Sequence, residues 1–506
     1  MKNSLKRLAS STGFIGAAAL ALILYAAVRN VLAAASTPFG YDEILTVIVS
    51  RMAGLSAVWN ALSRGVDGQP PLYYMTERVA ALLGPRAEIA YRLPSILGLC
   101  IALWCVFVLI RRRDGPSAAL IFSSALLLTP LSTEHAASAR PYDLVVACIA
   151  VALVCYQHAG KRVWAATIAV SLVTAGALHY YAVFAFVPFA VAETVRTARE
   201  RVLRKPVWIA LACGALPLAV CWPLLQVMKR TYGPHVWDPP SLDTAIRAYG
   251  GHAIAAVVLL LALAMAGTFT WGAVNNRAAD DDSYQDLIVA VLLTLPLLGL
   301  LATKVTHAGY SGRYFLPTVL GVPLAGAYAF RRTGRRGIVL ILAGAILLAA
   351  IARKEAAFWR GQRGHLGKLV TPAESIAPMV TAADHEDLPL VVSDGLDYLP
   401  LAYYASPALA KRIVAVVDEP KSIVYARSDG IDRGLTALAS FYPVGVYQFG
   451  TFAPEHPQFL LYSNGSDVWD WWPRRLADDG YSLQTVASDG VRRIYLVGPG
   501  APPTRK

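Results

Sequence analysis

The chain has 506 residues, of which 56% are hydrophobic and 16% charged, with a formal net charge of +13. Soluble domains average about 25% charged residues, and the apolar runs here recur near the ~20 residues needed to cross a bilayer, which excludes an ordinary soluble fold. The basic excess does not mark a nucleic-acid binder either: from Arg353 onward 16 Lys and Arg meet 17 Asp and Glu, and the surplus sits in short loops between apolar runs.

In chain order, apolar length predicts eleven membrane helices near 12–34, 94–110, 116–131, 142–157, 163–178, 182–195, 207–225, 253–272, 286–303, 314–330 and 337–352. The first run is about 20 residues long. It exceeds the 7–15 apolar residues typical of a cleaved signal, so a retained first helix is expected. The stretch 163–195 is too long for one span and is expected to divide at His179-Tyr180-Tyr181, tyrosines favouring the interface. Threading from a cytoplasmic N-terminus puts Arg111-Arg112-Arg113, Lys161-Arg162, Arg196 to Lys205 and Arg331 to Arg336 on one side, the positive-inside pattern. Residues 35–93, 132–141, 179–181, 226–252, 304–313 and everything after 352 then fall on the outer side.

The predicted organisation is a transmembrane domain over 1–352, including an outer loop 35–93, and an extracytoplasmic domain over 353–506. The latter alternates strand-like runs (LPLVVSD, RIVAVVD, QFLLYS, RRIYLVG) with helical ones (DYLPLAYYAS, DVWDWWPRRLADDG), which reads as a soluble α/β domain. Trp469, Trp471 and Trp472 in the last run suit the buried face of an amphipathic helix, with sugar stacking or a membrane interface as alternatives. All six cysteines lie in apolar runs, which excludes a disulfide framework and a Cys-based zinc site outside the membrane.

Asp42 and Glu43, the first acids in the chain, fall just beyond the first span. Adjacent residues point about 100° apart on a helix, so the two carboxylates do not aim at one atom. One suits chemistry and the other orients a partner or caps a helix; the plain alternative is an acid at a helix start. More polar clusters lie on the same side: Asp67, Gln69, Tyr73 and Tyr74 in DGQPPLYY; Arg92 in EIAYRLPS; Glu134, His135, Arg140, Tyr142 and Asp143 in TEHAASARPYD; Lys304, His307, Arg313 and Tyr314 in KVTHAGYSGRYF. A single outward Arg is explained by snorkelling. Arg92, Arg140 and Arg313 together, with Lys304 and His179, point to a shared anionic ligand.

The ordered strings YDEILT, DGQPPLYY, AEIAYRLPSILG, SARPYDL, HYYAVF and SGRYFLP, over about residues 35–330, resemble the GT-C fold membrane glycosyltransferases. The group they look most like is glycosyltransferase family 39, with the protein O-mannosyltransferases and the related aminoarabinose transferases. The resemblance implies a GT-C-like, α-helical polytopic membrane enzyme of about eleven transmembrane helices. Such an enzyme takes a sugar from a polyprenyl-phosphate donor and passes it to a hydroxyl acceptor (glycan, lipid or protein) on the outer face of a bacterial cytoplasmic membrane, inverting the anomeric centre. Asp42 matches the family's loop acid, the base or acceptor-orienting group, and Glu43 its usual neighbour. Arg92, Arg140, Arg313, Lys304 and His179 become donor-phosphate ligands, and Gln69, Tyr73, Tyr74, Glu134, Tyr142 and Tyr180 substrate-binding residues.

Two positions depart from the pattern. Gln69 stands where relatives carry a titratable His, and Ser138 where many carry Glu; Glu134 or Asp143 are the stand-ins for that second carboxylate. No cofactor and no nucleic acid are expected, and the outward carboxylates lack metal-ligand spacing. A transporter or flippase for a lipid-linked sugar, or a non-catalytic binder of one, shares the apolar helices and outward cations and stands as the alternative.

Overall fold

The structure, a computed structural model, describes residues 2–499 apart from 85, 237, 275–279, 307, 365 and 467. It divides into two compact units: Met1–Ala34 with Gln69–Trp222 and Asp238–Leu366, and Ala35–Gly68 with Pro223–Trp237 and Gly367–Lys506. The boundary expected at 352 falls inside one continuous helix, Arg336–Gly361, and the segment 35–68 groups with the C-terminal residues.

The first unit is a multi-pass membrane bundle. Among the described residues five helices are long and apolar enough to cross a bilayer: Gly13–Ser36, Ala87–Asp114, Tyr180–Glu200, His252–Trp271 and Arg336–Gly361. The other expected spans are helical but short or broken. Pro116–Leu128, Tyr142–Tyr156 and Arg162–Leu178 are short apolar helices, and Asp281–Leu292 bends by 54° into Leu295–Thr306. Proline is the common cause, since it lacks an N–H and its ring clashes with the preceding turn. Pro296 opens the second half of the bent pair, Pro217 opens the short Leu216–Val220 segment, and Pro317 sits in the tight 3₁₀ run Gly312–Leu320. The split expected at 179–181 is observed: Arg162–Leu178 ends at His179 (φ −155°, ψ 127°), and a 3₁₀ segment, Tyr180–Phe186, leads into Val187–Glu200. All six cysteines are free thiols.

The second unit carries a six-stranded sheet. Strands β1 (Leu390–Val392), β2 (Ile413–Val417), β3 (Val446–Gln448), β4 (Phe459–Ser463), β5 (Ser482–Ser488) and β6 (Arg493–Gly498) lie in the order β3-β2-β1-β4-β6-β5. β1, β2, β3 and β4 pair in parallel, with Leu390 facing Ile413 on one side and Leu460 on the other; β6 returns antiparallel to β4 and β5. The three central parallel strands are buried throughout, as expected where helices cover both faces. Trp471 and Trp472 stack at 4.5 Å within the core formed by Val391, Phe449 and Leu461, with Trp469 packed against it. These tryptophans are packing residues. The helix that follows, Trp472–Asp478, is shorter than the run 467–480 suggested, and residue 467 lies outside the described residues.

Candidate functional site

In the membrane unit several of the polar residues gather where regular helix is interrupted, around 125–142. Thr129 precedes a proline and is held extended (φ −89°, ψ 162°), which ends the 3₁₀ segment Ala125–Leu128. The chain restarts as a single π-turn, Leu131–His135, and then turns into the helix Tyr142–Tyr156 behind Pro141. Ser95, in the first turn of Leu93–Asp114, donates to the carbonyls of Ser138 (2.7 Å) and Arg140 (2.8 Å) and so fixes the turn that carries Arg140. Gly98, one turn further on, has no room for a side chain. A Cβ there would lie 2.5 Å from the Asp143 carbonyl carbon, so only glycine lets the two helices meet this closely.

Around this turn aromatic rings and two imidazoles form one cluster. Tyr142 lies 5.1 Å from His135, 5.4 Å from His179 and 6.5 Å from Tyr314; Tyr314 lies 5.2 Å from His179 and 4.5 Å from Tyr181. Phe315 closes the far side against Tyr181. The Arg313 guanidinium stands 5.8 Å from the centroids of both Tyr142 and Tyr314, within range of cation–π attraction. Tyr181 donates to the Gly309 carbonyl (2.7 Å), which ties this wall to the segment carrying Arg313.

The two imidazoles are neutral. Burial pushes His179 down to about 3, helped by the charges of Arg140 and Arg313, and burial with Arg313 pushes His135 down to about 4. His179 Nδ1 accepts from the Tyr181 backbone N–H (3.2 Å), which leaves Nε2 to carry the ring proton. His179 therefore joins the cluster as a hydrogen-bond donor rather than as the cation that the sequence suggested. The positive charge comes from Arg140, 6% exposed, and half-buried Arg313. In such surroundings a doubly hydrogen-bonding anion is favoured over a neutral ligand.

The other expected residues are placed as follows. Arg92 is buried and donates to the Ala34 carbonyl (3.0 Å), a tie between helices. Lys304 is exposed on the last turn of Leu295–Thr306, and His307 lies outside the described residues. Gln69 is buried with its Oε1 making no hydrogen bond. Tyr73 and Tyr74 are fully buried, with rings 5.6 Å apart, and Tyr180 is buried as well. Glu134 is exposed on the π-turn, and Asp143 is buried with neither carboxyl oxygen hydrogen-bonded. One acid that the sequence reading passed over is Asp238. Burial raises its pKa against the charges of Arg247 and Arg313, and its carbonyl accepts from the Tyr310 N–H (3.1 Å), close in sequence to Arg313.

In the second unit, Tyr41–Ser50 is a helix whose first turn holds Asp42 and Glu43. Glu43, 8% exposed, reaches back to the Gly40 N–H (3.0 Å), so it caps the helix. Asp42, half-buried, lies in the same first turn, where the helix dipole favours negative charge. Burial raises the phenols of Tyr41 and Tyr232, and the charges of Asp42 and Asp67 raise both further. Tyr232 donates to the Gly65 carbonyl (2.6 Å), and Asp67 accepts from the Gly68 N–H (2.6 Å). Asp67 thus shares its neighbours with Asp42. Its place in DGQPP was visible in the sequence; the neighbours it shares with residue 42 were not. Among the described residues no group of three or more His, Cys, Asp or Glu is placed to hold a metal ion.

A polytopic helical bundle with short, broken helices, followed in the chain by a C-terminal α/β sheet, is the GT-C fold. Over 96% of its length the chain is similar to ArnT from Cupriavidus metallidurans in the apo state, with a TM-score of 0.56, 16% identity and 98% of that chain covered. Over 94% it is similar to the same transferase bound to undecaprenyl phosphate (TM-score 0.53, 14% identity, 97% of that chain). An oligosaccharyltransferase from Archaeoglobus fulgidus, tethered with an acceptor peptide, aligns over 94% of this chain and 74% of its own at TM-score 0.42 and 11% identity. No family model matches the chain, and no curated protein matches it in sequence.

Proposed function

We propose that this protein is a glycosyltransferase that moves a sugar from a polyprenyl-phosphate donor to a hydroxyl acceptor at the outer face of the cytoplasmic membrane. The observation that carries the reading is the pairing of Arg140 and Arg313 around the Tyr142, His179 and Tyr314 cluster, in a fold shared with a transferase that binds undecaprenyl phosphate. In this reading the donor phosphate meets the two guanidiniums, and the Nε2–H of His179 supplies a neutral donor. As the bond between the anomeric carbon and the phosphate oxygen breaks, its electron pair stays on the phosphate. The fixed cations stabilise that growing charge more than the ground state, which is what lowers the barrier.

Asp42 is assigned the second half of the reaction. The acceptor oxygen attacks the anomeric carbon from the face opposite the phosphate, and its proton passes to the Asp42 carboxylate. The products are an inverted glycoside, a protonated Asp42 and the lipid phosphate. Asp67, which shares neighbours with Asp42, is the second carboxylate of this reading in place of Glu134. The N-terminus is assigned to the cytoplasm and the sheet-bearing unit to the outer side.

The test is incubation of purified, lipid-reconstituted protein with a labelled polyprenyl-phosphate sugar and a cell-envelope extract as the acceptor source. Release of polyprenyl phosphate with label on a new molecule is the expected result. Passage of the intact donor across the vesicle bilayer without cleavage overturns the reading and makes the protein a transporter. Retention without either makes it a binder.

A further inference from the structure

Two cationic side chains from two helices far apart in sequence converge on the irregular segment 125–135. Extended Thr129 interrupts the helical ladder there, so some main-chain carbonyls are left without a helical donor. Two of these carbonyls are taken by cations. Lys354 Nζ donates to the Leu127 carbonyl, and Arg29 Nη1 donates to the Ser132 carbonyl (3.4 Å). Arg29 is 6% exposed and is neutralised by the neighbour of Lys354: its Nε lies 3.3 Å from Glu355 Oε2, which also accepts from Tyr25 (2.7 Å). The Phe358 ring lies 3.9 Å from the guanidinium, and Trp359 donates to the Tyr25 hydroxyl (3.2 Å). One turn of the helix Arg336–Gly361 therefore holds both ends of the break, residue 127 before Pro130 and residue 132 after it.

We infer that Lys354 and the Arg29–Glu355 pair are positioning residues for the anion site. They fix the π-turn Leu131–His135, and with it the His135 ring against Tyr142 at 5.1 Å. π-turns inside helical segments recur at functional sites because they re-aim a side chain without unravelling the helix. Here the re-aimed side chain is His135, which lies in the field of Arg313. Ionised donors hold main-chain carbonyls more firmly than neutral ones, which is what a turn without its own ladder needs. The inference rests on the reading of the cluster as a lipid-phosphate site.

The experiment is a double-mutant cycle on full-length protein in lipid nanodiscs, with undecaprenyl phosphate as the probe and its Kd as the readout. Binding by the unmodified protein tests the site reading by itself; absence of binding would reject that reading and the inference with it. Given binding, Lys354→Met and His135→Ala are each expected to raise the Kd roughly five- to twenty-fold. The double variant is expected to be no weaker than the weaker single, because Lys354 acts through His135. Lys354→Arg, which keeps an ionised donor, is expected to restore most of the affinity at an unchanged melting temperature. Glu355→Gln, which weakens the hold on Arg29, is expected to move the Kd in the same direction and serves if Lys354→Met does not fold. An unchanged Kd in Lys354→Met or Glu355→Gln, or fully multiplicative effects in the double variant, would overturn the positioning role.

Discussion

At the scale of single residues, charge state separates the side chains that look alike in sequence. A guanidinium carries its charge by nature, whereas burial and the neighbouring arginine charges push both histidines toward the neutral form, so the cluster presents two cations beside imidazole donors. A hydrogen bond to a charged partner is worth about 1.5–3 kcal/mol, so Arg313→Ala or Arg140→Ala should weaken lipid-phosphate binding roughly 10- to 100-fold. Arg313→Lys should recover only part of that, because an ammonium does not reproduce the planar fork. Titration of labelled undecaprenyl phosphate measures both, and an unchanged affinity in either alanine variant would remove that arginine from the site. Asp42 belongs to a different step. If it is the base, Asp42→Asn should cut turnover by about 10²- to 10⁴-fold while leaving donor affinity within a factor of two or three. Single-turnover rates at saturating donor check this, and normal turnover would reassign the base. Glu43, tied to the Gly40 N–H, should behave otherwise: Glu43→Gln keeps an acceptor for that cap and is expected to keep activity.

At the scale of elements, the site depends on how closely two helices meet. Gly98 on Leu93–Asp114 lies against the main chain of Asp143 at the start of Tyr142–Tyr156, and an added Cβ would come within 2.5–2.8 Å of three backbone atoms. Backbone does not move aside as a side-chain tip does, so Gly98→Ala should cost about 1–3 kcal/mol by overpacking. It should also displace the 138–142 turn that Ser95 holds, and lower lipid-phosphate affinity with it. A melting curve and the same titration check both, and a variant unchanged in both would show that the helices do not make this contact. The sequence disclosed such elements unevenly. Apolar length located the helical segments, but a proline inside an apolar run shortens or bends a helix without changing its hydropathy, so length overstated several spans. Four of the six strands announced themselves as short apolar runs rich in aliphatic and aromatic residues. β3 is only three residues long, and β5 (SLQTVAS) is an exposed edge strand with no apolar face to signal it. The outward arginines were legible one by one. That Arg140 and Arg313 join the Tyr142 cluster depends on long-range packing that no local pattern encodes, and the same holds for the surroundings of Asp67 and Asp238.

At the scale of the whole molecule, the chain builds two kinds of core: a bundle of broken helices, and a unit in which residues 35–68 and 223–237 group with the C-terminal residues. The second unit carries a pH dependence of its own. Asp432 is 7% exposed, on the helix Gly430–Ala439, in the lining of a small cavity with Ser393, Ser422 and Trp471. Burial raises its carboxyl to about 7, with Glu419 and Asp418 pushing the same way, against hydrogen bonds from the Asp418 N–H and the Ser422 side chain. The sign follows from linkage. The folded unit binds this proton more tightly than the unfolded chain, whose carboxyl titrates near 4. Its contribution to stability is therefore full below about pH 4 and is lost as pH rises through about 7. At 1.36 kcal/mol per pH unit the window is worth roughly 4 kcal/mol at most, and relaxation of the cavity would reduce it. Asp432→Asn has no proton to lose, so its stability should stay flat where the parent protein weakens between about pH 5 and 8. The buried Trp471–Trp472 pair reports unfolding of this unit by its fluorescence in the full-length protein. Denaturation curves that fall in parallel for parent and variant across that range would show that Asp432 is ionised in the folded state, held by contacts strong enough to offset its burial.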